Sequence, residues 1–256
     1  MHFKCTQHGL RIPQNVVRLL LGILDPEGVK QRITKRLRRR LYENPGPNAI
    51  WNVDGYDKPK PFGFCVSGCI DGFSRLIIWL EVWTTNNDPR VICGYFLEAV
   101  ESKDGCPSRL RADDGTENPF IQQMQIFLRN DHIDRYAGHH SYLRGKSTAN
   151  QRMEIWWGIL RKESVNFWLD LFKRLQDDGY HTGDFIDKNL LQFCFMHVIQ
   201  HVHDQVVNVW NCNKIRKQRI DMPTGRPIMM YAHPELQRTP ITRAVPFEFE
   251  LFGGGT

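Results

Sequence analysis

The stretch Trp51-Asn52-Val53-Asp54-Gly55-Tyr56-Asp57-Lys58 decides how the rest of the chain is read. A single acid, Asp54, sits inside an apolar run, and a loop-forming glycine follows at once. The run predicts a strand over 49–56. An acid inside an apolar strand is costly unless it is paired or binds a cation. Asp54 is therefore either a capped or paired core aspartate or a metal ligand.

Immediately upstream, Asn44-Pro45-Gly46-Pro47-Asn48 is a cluster of breakers and the clearest boundary in the chain. Before it the pattern is helical and basic. Residues 15–24 form a short apolar helix, and Asp25-Pro26-Glu27 supplies an N-cap, a proline at the first helical position and an acid in the first turn. Val29, Ile33, Leu37 and Leu41 recur every four residues along one face. Lys30, Arg32, Lys35, Arg36, Arg38, Arg39 and Arg40 cover the others, seven cations in eleven residues. Two short helices with a tight junction resemble a helix-turn-helix unit, and the cations predict contact with DNA phosphates, Lys35, Arg36, Arg38, Arg39 and Arg40 foremost. The charge balance agrees. Residues 1–50 hold 10 Lys/Arg against 3 Asp/Glu, whereas the remaining 206 hold 24 against 25.

Downstream, strands are predicted at 61–70 and 75–83, joined by the turn Asp71-Gly72-Phe73-Ser74 and so antiparallel. A helix over 88–102, a fourth strand over 108–113, a helix over 118–130 and a short fifth strand at 133–136 follow, then a polar loop over 138–146. Helices are predicted over 147–162, 166–177 and 186–202, and an extended tail from 208. The strands are nearly continuous in apolar residues, which predicts a mixed α/β sheet covered on both faces. Three leading strands and the absence of a glycine fingerprint exclude a dinucleotide-binding fold. We divide the chain into a basic helical segment (1–46), a core (47–207) and a basic, Pro/Gly-containing C-terminal extension (208–256).

Composition narrows the function. No apolar run approaches a membrane span, no secretory leader is visible, and the seven scattered cysteines contain no Cys-x-x-Cys pair, against a disulfide framework or a zinc ribbon. The expectation is a soluble intracellular protein. His197 and His201 have the spacing of a metal pair without the glutamate that would accompany it, and an ordinary buried helix explains them.

Two further acids complete the pattern. Asp113 ends the fourth strand, and Glu154 lies on the helix over 147–162, where Asn150, Glu154, Trp157 and Arg161 share one face. If the first and fourth strands are neighbours, Asp54 and Asp113 lie side by side and need a counter-ion. Oxygen ligands of this kind suit Mg2+ or Mn2+.

These motifs, W-N-V-D-G at 51–55, R-A-D-D-G-T-E-N at 111–118 and S-T-A-N-Q-R-M-E-I-W-W at 147–157, closely resemble the catalytic core of retroviral integrases and related DDE transposases. The nearest likeness is to integrase-core proteins of animal genomes, of mobile-element origin. The resemblance runs from about Gly46 through Asp221 and includes Gly46-Pro47-Asn48, Ile70 to Arg75, and Trp210-Asn211. It implies an RNase H-like five-stranded fold, a site of Asp54, Asp113 and Glu154 holding two Mg2+ or Mn2+ ions, and DNA strand transfer by a homo-oligomer on paired DNA ends in the nucleus. Lys146, Asn150, Arg161 and Lys162 are the implied DNA contacts near the metals. Asp114 stands where the family usually has Asn or His, so Asp113 and Asp114 compete for the ligand role. The His and Cys pairs of the retroviral zinc module do not occur. Two other readings stay open: a domesticated, non-catalytic DNA-binding protein, and an RNase H or resolvase-type nuclease.

Overall fold

The computed structural model describes residues 5, 9–34, 44–145, 150–216 and 223–237, without the side chains of 31–34. The chain divides into two compact units, Met1–Tyr42 and Glu43–Thr256.

The first unit holds helix α1 (Gln14–Leu24) and helix α2 (Pro26–Thr34). Asp25 interrupts them for the reason legible in the sequence: its Oδ1 accepts the Gly28 N–H at 2.8 Å and Pro26 opens α2. Lys35, Arg36, Arg38, Arg39 and Arg40, the cations assigned to DNA, lie outside the described residues.

The second unit is built on a five-stranded sheet. β1 (Ile50–Tyr56), β2 (Cys65–Asp71) and β3 (Ile77–Trp83) form an antiparallel meander; β4 (Arg109–Ala112) and β5 (Tyr142–Arg144) add in parallel on the other side of β1. The order is β3-β2-β1-β4-β5, the mixed sheet of an RNase H-like fold. β1 is central because the segment from β3 to β4, which contains helix α3 (Pro89–Ser102), crosses back over the sheet, and β4 then pairs Trp51 with Leu110.

Both faces are covered. Trp51, Val53, Phe96, Leu110 and Ile121 form one core beneath α3 and helix α4 (Pro119–Leu128). Tyr56, Val66, Met153, Trp156, Trp157 and Phe172 form the other. This second core lies beneath helices α5 (Gln151–Leu160), α6 (Asn166–Asp177) and α7 (Phe185–Cys212), with a π-helical turn, Arg161–Val165, joining α5 to α6. Burial on both sides is why β2 is buried at every position and reads as a continuous apolar run.

The turn between β2 and β3 is nailed by a buried acid. Asp71 Oδ2 accepts the Ser74 N–H and O–H, both at 2.7 Å, and Oδ1 accepts the Asn48 N–H at 2.8 Å. Asn48, in the left-handed conformation at φ 59°, in turn accepts the Trp51 indole at 2.9 Å and the Tyr231 hydroxyl at 2.7 Å.

The outer edge of β3 is closed by side chains of α7. Gln200 accepts the Val82 N–H at 2.8 Å and donates to the Leu80 carbonyl at 2.9 Å; Asn211 accepts the Ile77 N–H at 3.0 Å. These amides satisfy edge groups that would otherwise invite another strand.

Several elements depart from the sequence reading. The fifth strand is Tyr142–Arg144, not 133–136. Ile133 is fully exposed, and Asp134 ties its segment into a turn by accepting the Tyr136 N–H at 2.8 Å and pairing with Arg129. The stretch read as a polar loop instead supplies a 3-10 turn, Gly138–Ser141, and then β5. Helix α7 continues through Cys212, and beyond it helix α8 (Pro227–Ala232) returns to the domain through Tyr231. Among the described residues no helix is long and apolar enough to cross a membrane.

Candidate active site

Asp54 sits on the central strand, opposite Gly68 of β2. Its carboxylate is mostly buried, and its Oδ2 accepts the Trp157 indole N–H at 2.9 Å. Burial pushes the carboxyl up from the ordinary value to about 7, the indole bond opposes the rise, and the charges of Glu154 and Asp113 add to it. The three acids therefore share one electrostatic environment, to which β1, the end of β4 and the first turn of α5 contribute one carboxylate each.

Asp113 follows β4 directly. Its Oδ1 accepts the Gly115 N–H at 3.1 Å and the Asn118 side-chain amide at 2.9 Å, which fixes the carboxylate at the strand end. Its neighbour points to other chemistry: Asp114 forms an exposed ion pair with Arg144 on β5. Asp113, and not Asp114, is among the charges that raise Asp54.

Glu154 is exposed on α5. On the same face, Asn150 stands at the N-cap position of the helix without a side-chain capping bond and is 2% exposed; its amide donates instead to the Val53 carbonyl at 2.7 Å. The sequence placed Asn150 among the DNA contacts, and the structure puts its amide between helix and strand. Its Oδ1 is buried beside the site with no hydrogen-bond partner. Arg161 and Lys162 are exposed on the π-helical turn, with Arg161 Nε donating to Asn166 at 3.1 Å. Lys146 lies outside the described residues.

Among the described residues no three His, Cys, Asp or Glu side chains form a ready metal-binding group. The donor chemistry nevertheless fits a hard divalent cation: three carboxylates, one of them raised by burial and further by the charges of the other two, with an unpaired amide oxygen nearby.

A family model described as "Integrase core domain" matches residues 41–240. The chain belongs to the integrase core domain family. Distant likenesses in solved structures accompany that match. The HTLV-2 integrase catalytic core domain, in complex with magnesium and in dimeric form, is 16% identical, with a TM-score of 0.40 over 75% of this chain and 100% of that one. A chain of the simian T-cell lymphotropic virus intasome, in complex with the PP2A regulatory subunit B56 gamma, is 17% identical, with a TM-score of 0.41. That comparison covers 82% of this chain and 64% of that one. A search of curated proteins finds no match.

Several residues of this integrase core escaped the sequence reading. Trp157 reads as core, and its bond to Asp54 depends on which edge of the ring faces the strand. Asn118 has a signal, its place at the end of the R-A-D-D-G-T-E-N motif. Gly68 has none, because the strand pairing that sets it against Asp54 is long-range.

Proposed function

We propose that this integrase core is an active DNA-processing enzyme that carries out phosphodiester hydrolysis and strand transfer. Asp54, Asp113 and Glu154 would hold two divalent cations, Mg2+ or Mn2+. The observation that carries this reading is the placement of the three acids: Asp54 lies on the central strand, Asp113 is held at the end of the parallel neighbour β4, and Glu154 lies on the helix face that bonds to Val53 and Asp54. Carboxylates gathered in this way, one of them buried, favour a bound cation.

Bound cations would supply activation of a water or a DNA 3′-hydroxyl and stabilisation of the leaving oxygen. The chain's residues hold and orient. Asp54 presents its carboxylate from the rigid middle of the sheet, Asn118 and Gly115 aim Asp113, and Glu154 approaches from the helix. Arg161 and Lys162 on the π-helical turn, together with Lys146 and the N-terminal run from Lys35 to Arg40, would neutralise DNA phosphates. We further propose that a homo-oligomer holds paired DNA ends, in the nucleus.

The second reading is a domesticated, non-catalytic DNA-binding protein that retains the fold. Strand-transfer assays on oligonucleotides with Mg2+ or Mn2+ decide between them. The enzyme reading expects joined products from the wild type and none from Asp54→Ala. Equal inertness of both proteins with DNA binding intact establishes the non-catalytic reading. Preferential cutting of an RNA–DNA hybrid or a four-way junction over linear ends would move the assignment to a nuclease.

A further inference from the structure

Asn150, Glu154 and Trp157 are four and then three residues apart at the start of α5, so they share one helix face. That face meets β1 at two consecutive residues. Asn150 donates its amide to the Val53 carbonyl at 2.7 Å, and Trp157 donates its indole N–H to Asp54 Oδ2 at 2.9 Å. Glu154 stands between these two pins.

The indole is not free to turn. Its ring stacks on Tyr56 with centroids 5.1 Å apart and meets Trp156 edge-on at 5.7 Å. Its far edge lies over Gly68, the β2 residue paired with Asp54. A Cβ at position 68 would come within 2.9 Å of Trp157 Cη2 and 2.6 Å of Met153 Cε. The bare backbone of Gly68 thus opens the slot in which the indole lies. An indole N–H only donates, so its bond is strengthened when the carboxylate is ionised and leaves the other carboxylate oxygen, Oδ1, open to a cation.

We propose that Trp157 is a positioning residue. Seated in the slot over Gly68 and assisted by Asn150, it fixes the carboxylate of Asp54 and the approach of Glu154 before any cation binds. The proposal rests on the reading of Asp54 as a metal ligand, and outer-shell bonds of this kind orient ligands and tune metal affinity.

The test uses the full chain labelled with 15N-tryptophan, with the Trp157 indole resonance identified by its loss in Trp157→Phe, alongside calorimetry with Mn2+. At about pH 9, where the Asp54 carboxyl is ionised, Asp54→Asn is expected to move the Trp157 N–H proton upfield, because a charge-assisted bond becomes a neutral one. Trp157→Phe, which keeps the stack on Tyr56, is expected to weaken Mn2+ binding by about 10- to 100-fold. Gly68→Ala displaces an intact indole and is expected to weaken it in the same direction. A Trp157 resonance indifferent to Asp54→Asn overturns the bond, whether or not the other variants fold. Unchanged Mn2+ affinity in both Trp157→Phe and Gly68→Ala overturns the positioning role. A wild type that takes up no Mn2+ while its Trp157 resonance answers to Asp54→Asn supports the clasp and sinks the metal reading instead.

Discussion

Replacing Asp54 by asparagine should make the cation-free protein more stable at neutral and alkaline pH. In the folded chain, burial together with Glu154 and Asp113 lifts the Asp54 carboxyl from 3.8 to about 7. Unfolding returns it to its ordinary value. Between those two values the folded protein keeps a proton that the unfolded chain has released. Stability therefore falls as pH rises, and the loss is complete above about pH 7. A displacement of that size, at about 1.36 kcal/mol for each pH unit, is worth about 4 kcal/mol. Asparagine carries no charge at any pH, and its amide oxygen still accepts the Trp157 N–H. In a unit of this size each kcal/mol moves Tm by about 2–4 °C, so the variant should melt up to about 8–16 °C higher at pH 8. The assay is calorimetric melting of both proteins in EDTA from pH 4.5 to 8. Glu81, also raised to about 7 by its own burial and by Asp204 and Glu98, tilts both proteins alike and cancels in the comparison. Added Mn2+ should narrow the gap by stabilising only the wild type. Equal Tm values at pH 8, or a gap that widens toward acid, would refute the reasoning.

Two further outcomes are expected. Gln200→Ala removes the amide that serves both the Val82 N–H and the Leu80 carbonyl; it should cost about 1–3 kcal/mol in urea unfolding and raise self-association through the opened edge of β3. An unchanged urea midpoint would show that water replaces the amide without loss. Deleting residues 1–44 should flatten the dependence of DNA affinity on salt, because the cations around Lys35 to Arg40 go with them. The same slope before and after deletion would remove those cations from the DNA interface.

Local chemistry made much of this protein legible. Apolar runs bounded by breakers marked β1 to β4, because strands buried on both faces leave continuous hydrophobic stretches. The junction at Asp25-Pro26 could be read because an N-cap is settled within three residues, as the Asp25 bond to Gly28 illustrates. Asp54 was visible because an acid in an apolar strand needs a reason, and Asp113 and Glu154 stood in the motifs that carry the family resemblance. The fifth strand was not. Tyr142–Arg144 is three residues long with little apolar pattern, and only its pairing with Leu110 to Ala112 makes it a strand.

The environment of the acids was decided by tertiary structure alone. Asp113 and Asp114 are adjacent and chemically alike in sequence. They part because Asn118 and Gly115 hold one while Arg144, on a strand brought alongside, holds the other. Trp157 is a core tryptophan by pattern, and Gly68 a weak point in a strand. Antiparallel pairing places Gly68 opposite Asp54, and the missing Cβ admits the indole that reaches the carboxylate. Sequence determines which groups are available and what each costs to bury. Which of them meet depends on contacts between residues a hundred positions apart, and those exist only once the sheet has closed around β1 and α5 has docked on it.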